Sequence, residues 1–155
     1  MVSAGKTFRE LLRRPSPSIP FLFLAMIAVH VGHVFEEVWG GFRVMELFLG
    51  LGWFLIVNWL LLLIPLTLFY FLLARKPVAY LLGAFYAGFM AVNGAGHNIA
   101  LVITGRYFHG FAGSFTGIPM IVIGPLLARA LFAEYRMIMP RGRRPEEQAI
   151  RNGKF

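Results

Sequence analysis

The sequence predicts an all-α integral membrane protein, a bundle of four transmembrane helices with room for short interfacial helices beside it. Hydrophobic residues make up 58% of the 155-residue chain and charged residues only 14%. A soluble domain of this size cannot bury that much apolar surface in one core, whereas a lipid bilayer can solvate it. The charged residues lie in short segments beside long apolar stretches, the arrangement that sets orientation in a membrane.

Four apolar stretches are each long enough to cross the hydrocarbon core of a bilayer, which takes about 20 helical residues. The first extends from about residue 19 to 42, the third from about 78 to 104, and the fourth from about 118 to 139. The second stretch is longer than a bilayer requires. We therefore divide it into a segment, 43–51, that lies at the interface or packs back on the bundle, and a span, 52–74.

Lysine and arginine are distributed unequally between the two sides of this bundle. Segment 1–18 contains four, the turn Arg75-Lys76 contains two, and the chain from Arg136 onward contains six, whereas each loop on the opposite side contains one. Because such residues accumulate on the cytoplasmic side, both termini are predicted to be cytoplasmic. The net charge of +8 comes from these flanks, so it does not indicate nucleic-acid binding. The predicted domains are a cytoplasmic basic N-terminus (1–18), the transmembrane domain (19–139) and a cytoplasmic basic tail (140–155).

The first helix carries a group of ionisable residues, which are costly inside a membrane and indicate a functional site by default. At about 100° per residue, four of them fall within an arc of about 120°: His30, His33, Glu36 and Glu37.

The chain has no cysteine. That absence excludes thiol catalysis, zinc–thiolate sites and iron–sulfur clusters.

The third helix carries a second polar group at a matching depth. Asn93 and His97 are four residues apart and so share a helix face. At ~1.5 Å per residue, they lie about 22–29 Å from the predicted start of their helix, and the first-helix group lies at a similar depth. Neighbouring glycines predict close approach of another helix at this level, a packing role: Gly88, Gly94 and Gly96.

Residue spacing suggests how these groups could work together. His33 and Glu37 are four apart, so both can reach one metal ion from a single helix, as in zinc helices with an H-x-x-E-H pattern. Glu36 points slightly away and is predicted to act as the catalytic base. His97 is predicted to be the third metal ligand. The remaining polar residues are assigned to substrate contact or to the surroundings of the ligands: His30, Glu46, Asn93 and His109.

This combination resembles the HXXEE family of small integral membrane proteins of bacteria and archaea, which implies location in the inner or cell membrane of a prokaryote. The resemblance rests on His33-Val34-Phe35-Glu36-Glu37, on the later Asn93, His97 and Asn98, and on the aromatic, glycine-containing loop from Tyr107 to Pro119. It extends over about residues 25–125. It departs from the family at His109-Gly110, where a proline–glycine pair is expected. The resemblance implies an enzymatic site at His33, Glu36, Glu37 and His97, and implies no particular substrate.

Two histidines and a carboxylate suit catalytic Zn²⁺ and equally non-haem Fe(II). The leading hypothesis is a metal-dependent membrane enzyme acting on a lipid or other hydrophobic substrate near the outer leaflet. Hydrolysis is slightly favoured over iron-dependent oxidation. The expected partners are the bilayer and a hydrophobic small molecule, with no nucleic acid, and homo-oligomer formation is left open.

Four alternatives stay open at this stage. The polar residues could form a purely structural Glu–His hydrogen-bond network. The protein could be a metal-free isomerase or cyclase of an isoprenoid-like substrate, in which a buried glutamate transfers a proton. It could transport a proton or another cation through Glu36 and Glu37. It could also bind haem through His97 and either His30 or His33.

Overall fold

A computed structural model of the chain describes residues 18–41, 46–105 and 112–139. Within these residues the fold contains four α-helices, and the expected four-helix membrane architecture is confirmed. The helices are α1 (Ser18–Gly40), α2 (Glu46–Leu73), α3 (Pro77–Thr104) and α4 (Ser114–Ile138). Each contains a stretch long and apolar enough to cross a membrane.

The second helix is not continuous. Gly50 has φ 81° and ψ 163°, which breaks the helical backbone close to the predicted boundary between the interfacial segment and the span. Glycine tolerates this conformation because it has no Cβ. The uninterrupted span is Gly50–Leu73. The interfacial position of the residues before Gly50 stays a prediction.

The third and fourth helices form the most closely packed pair. A Cβ added to Gly94 would lie 3.1 Å from the Cα of Gly117, and one added to Gly124 would lie 2.7 Å from the carbonyl oxygen of Ala87. Only glycine allows backbones to approach this closely. The packing role predicted for the glycines of α3 therefore holds for Gly94. It does not hold for Gly88 and Gly96, where an added Cβ would meet no described atom within 4 Å.

The apolar core fills the end of the bundle where α1 begins and α4 ends. Phe23 and Leu131 converge there on Gly83 of α3, and Tyr80 is fully buried beside them. By contrast, 17% of the most apolar part of α2 is buried, against 39% for α3. The second helix therefore lies at the edge of the bundle, with most of its surface available to lipid.

Antiparallel packing places the other ends of α1 and α3 together with the start of α4. We call this the Gly40 end of the bundle. Segments 1–17 and 140–155, which carry most of the predicted cytoplasmic charge, lie outside the described residues. The predicted domain boundaries and the orientation therefore stay predictions.

Orientation can be tested with reporter fusions. We expect fusions after Lys76 and after Lys154 both to report the cytoplasm, because Lys and Arg are concentrated on that side. A fusion in the predicted outward segment, after Gly105, is the matched control and should report the opposite compartment. A periplasmic signal after either lysine would overturn the orientation.

Candidate metal centre

Two of the four helices supply the central side chains of the site. His33 and Glu37 lie one helical turn apart on α1, and His97 lies near the end of α3. One ligand atom from each of these three residues lies within 4.8 Å of the other two. We call this group the ligand cluster. The sequence prediction that two helices place polar groups at one depth corresponds to this arrangement.

The spacing inside the ligand cluster is suited to a metal ion. Oε1 of Glu37 lies 3.7 Å from Nε2 of His33 and 3.3 Å from Nε2 of His97. Two ligand atoms bound about 2.1 Å from a tetrahedral ion are about 3.4 Å apart. The rings of the two histidines meet edge to face, with centroids 4.7 Å apart and planes at 90°. The three residues could therefore hold a metal ion once their side chains adjust, since all three ligand atoms already lie within 4.8 Å of one another.

The hydrogen bonds of His97 determine which of its nitrogens could bind metal. Nδ1 of His97 lies 2.6 Å from the carbonyl oxygen of Ala112. A carbonyl oxygen only accepts, so Nδ1 carries the hydrogen and donates it. In the neutral ring the lone pair is then on Nε2, the atom that faces Glu37. Metal-binding histidines typically make this bond to a backbone carbonyl.

A similar argument applies to His33. Its Nδ1 lies 2.9 Å from Oγ1 of Thr116, and that hydroxyl lies 2.5 Å from Oε2 of Glu36. The single hydroxyl hydrogen is donated to the Glu36 carboxylate, so Oγ1 accepts from Nδ1–H of His33. The lone pair of His33 is again on Nε2. Both histidines thus direct a potential metal-binding nitrogen toward Glu37.

Asn93 also contacts Nε2 of His33. Its Nδ2 lies 3.0 Å from Nε2 of His33 and can donate a hydrogen bond to the lone pair. The bond and a metal ion would use the same lone pair, so the Asn93 amide would have to turn away when an ion binds.

Glu36 is adjacent to the ligand cluster but makes different contacts. Its Oε1 accepts from the backbone N–H of Phe115 at 3.0 Å, and its Oε2 accepts from that of Thr116 at 2.8 Å. These N–H groups belong to the first turn of α4. The residue before that turn is Gly113, which has no side chain to cap them. A carboxylate at a helix N-terminus is also favoured by the helix dipole. Glu36 therefore fixes the start of α4 against α1, and its predicted role as a base stays a prediction.

This cap also explains a wrong boundary. The sequence predicts that the fourth helix starts near residue 118, but α4 starts at Ser114. The first turn has no local capping signal, because its cap comes from Glu36, which lies on another helix far away in sequence. Local sequence cannot reveal such a cap.

Gly113 allows the start of α4 to approach the histidines. Its φ of 85° is in the left-handed region that favours glycine. A Cβ at this position would overlap the rings of both His33 and His97. Any larger residue would therefore strain the backbone and displace both rings.

The other predicted site residues lie outside the ligand cluster or outside the described structure. Nδ1 of His30 lies 3.2 Å from the hydroxyl of Tyr86, one turn from the cluster. Glu46 is the first residue of α2, but its side chain lies outside the described part of the structure. His109 lies entirely outside the described residues, so its role stays a prediction.

Several contributors to the site were not assigned to it from the sequence, although Asn98 belongs to the motif that resembles the HXXEE family. Thr116 connects His33 to Glu36, and the carbonyl of Ala112 orients His97. Asn98 donates from Nδ2 to the carbonyls of Gly94 and Ser114, which ties the end of α3 to the start of α4. Thr116 and Ala112 have no local signal in the sequence, because the side chains they contact lie on other helices.

Comparisons with known proteins add no relative. No protein-family description, no curated protein and no solved structure matches the chain. The resemblance to the HXXEE family accordingly stays a prediction.

Proposed function

We propose that this protein is a metal-dependent membrane enzyme whose ion is held by His33, Glu37 and His97. The observation that carries the proposal is the pairing of a compact donor set with two oriented histidines. In each ring, Nδ1 donates to an acceptor and Nε2 faces the Glu37 carboxylate. A set of two histidines and one carboxylate with room for a further ligand is typical of catalytic zinc and non-haem iron sites.

Hydrolysis is the reaction we favour. A bound Zn²⁺ ion supplies Lewis acidity and activates water at neutral pH. A hydrolase also needs a group that accepts a proton, and Glu36 is a carboxylate beside the cluster that is not a ligand. It accepts three hydrogen bonds. An ionised carboxylate has about four acceptor sites, so one is left.

The location of the site favours a hydrophobic substrate. The ligand cluster lies near the Gly40 end of helices that are apolar enough to span a membrane. Glu37 is the most accessible of the three, with 14% of its side chain exposed. A lipid can approach such a site through the bilayer, with its polar group at the membrane surface. By the predicted orientation that surface is the outer leaflet.

One contact supports a different function. The hydrogen bond between Asn93 and His33 satisfies the Nε2 lone pair without any ion. With Thr116, Glu36 and Ala112, it completes a polar network that a metal-free proton-transfer isomerase or cyclase could use. Metal content separates the two proposals.

The test is element analysis of protein purified in mild detergent after growth in ion-supplemented medium. We expect about one zinc or iron per chain, because the donor set completes three positions of a tetrahedral site. A strong chelator should remove the ion, and activity on fluorogenic long-chain esters should return when the ion is restored. Wild-type protein without stoichiometric metal would favour the isomerase or cyclase, and ester hydrolysis that survives chelation would refute the metal-dependent mechanism.

A further inference from the structure

A second feature of the molecule is a cleft of about 240 Å³ between α1 and α2. Most of its walls are apolar side chains, and two polar residues, one from each helix, also contribute. Its principal lining residues are His30, Val34 and Val38 of α1 and Leu55, Asn58 and Leu62 of α2. We call it the α1–α2 cleft.

The polar groups of the cleft have partners of their own. His30 is hydrogen bonded to Tyr86 on α3, and Asn58 donates from Nδ2 to the carbonyl oxygen of Phe54 within α2. The wall offered to an occupant is therefore predominantly apolar. This composition suits a hydrocarbon and does not suit an ion or a polar solute.

The position of the cleft determines where the occupant comes from. Phe35 and Trp59 border it and are 70% and 67% exposed on the outside of the bundle. In helices that cross a membrane, this outside is lipid. A lipid chain can therefore enter from the side, and α2 is the least buried of the four helices.

The dimensions fit one chain of one leaflet. The α1 residues that line the cleft extend from His30 to Val38, which corresponds to about 12 Å of helix. Half of the hydrocarbon core measures about 15 Å. The volume is below the ~300–1,000 Å³ of sites for drug-sized molecules, so it favours a single chain over a fused-ring compound.

The cleft and the ligand cluster use the same turns of α1. Val34 and Val38 line the cleft, whereas His33 and Glu37, each one residue earlier, face α3. His30 lies one turn before His33 and contributes to both the cleft wall and the bundle interior. A chain in the cleft would therefore have its surface-proximal end level with the ligand cluster.

We propose that the α1–α2 cleft binds the acyl chain of a membrane phospholipid and holds its ester-bearing end level with His33 and Glu37. That the bound lipid is a substrate rests on the proposed metal-dependent function. Binding of the chain is a separate property that can be measured without turnover.

The experiment uses the full chain in nanodiscs that contain a small fraction of phosphatidylcholine with a diazirine in one acyl chain. After irradiation, adducts are mapped by mass spectrometry, and lipid retained in detergent is counted by native mass spectrometry. We expect one retained lipid per chain and adducts concentrated on α1 residues 30–38 and α2 residues 55–62. Val34→Trp should fill the cleft and abolish both signals.

Two further variants make the result decisive. Val92→Trp adds the same bulk at a lipid-facing position of α3 that is 72% exposed, and should leave the adducts and retained lipid unchanged. Leu55→Trp fills the cleft from the α2 side and replaces Val34→Trp if that variant fails to fold. Adducts spread evenly over all lipid-facing helices, or unchanged by both cleft variants, would overturn the proposal.

Metal content, measured on the same samples, keeps the two proposals distinguishable. Val34→Trp should retain the ion, because Val34 faces away from the ligand cluster. Cleft labelling in a protein that binds no metal would support the lipid site while refuting the metalloenzyme. Bound metal without cleft labelling would support the metal site and refute the lipid site.

Discussion

His97→Ala is expected to lose bound metal, with an affinity at least about 100-fold below that of the wild type. Residues that only orient a metal ligand typically contribute 10–100-fold to affinity, and a ligand contributes more. Removing the imidazole of His97 leaves His33 and Glu37, which come from a single helix and cannot complete the site. Element analysis and competition with a chromogenic chelator measure the loss.

The matched control is His30→Ala. His30 and His97 are equally buried, at 7% exposure, but His30 bonds to Tyr86 and contributes no atom to the ligand cluster. This variant should retain its metal. If His97→Ala also retains metal, or if both variants lose it equally, then the ion is not held where the geometry indicates.

Glu36→Gln is expected to keep its metal while hydrolysis of a fluorogenic long-chain ester falls by about 10²–10⁴-fold, the usual contribution of a general base. Glutamine retains one oxygen that can accept from the Thr116 hydroxyl, so His33 keeps its orientation, but an amide cannot accept the proton. Loss of the negative charge at the start of α4 should cost about 0.3–1 kcal/mol of stability. The bond from the Phe115 N–H is lost as well, because an amide nitrogen cannot accept it. A thermal unfolding measurement checks that this cost is small.

Thr116→Val tests whether Glu36 acts as a base or by positioning His33. It removes the hydroxyl that connects Glu36 to His33 and leaves the backbone N–H bonds to Glu36 in place. We expect metal affinity to fall by about 10–100-fold, since the ring of His33 loses its acceptor. If Glu36→Gln weakens metal binding as much as Thr116→Val does, then Glu36 acts by positioning His33, and the assignment of Glu36 as the base is wrong.

The sequence by itself determined the membrane fold and the approximate helix boundaries. Long apolar stretches can be solvated only by lipid, so four of them predict four spans whatever the details of packing. It also predicted the three members of the ligand cluster. His33 and Glu37 are related by helical spacing within α1, and His97 was placed by its depth along α3.

Only the tertiary structure decided how the groups around that cluster are used. Glu36 and Glu37 are adjacent in sequence, yet Glu37 faces His97 while Glu36 caps α4, which begins 78 residues after Glu36 at Ser114. Thr116, Ala112 and Gly113 reach the site through the same early start of α4. Sequence reasoning works from spacing along one helix. It could not predict contacts set by the rotation of α4 against α1 and α3, which depends on close packing at Gly94 and Gly117.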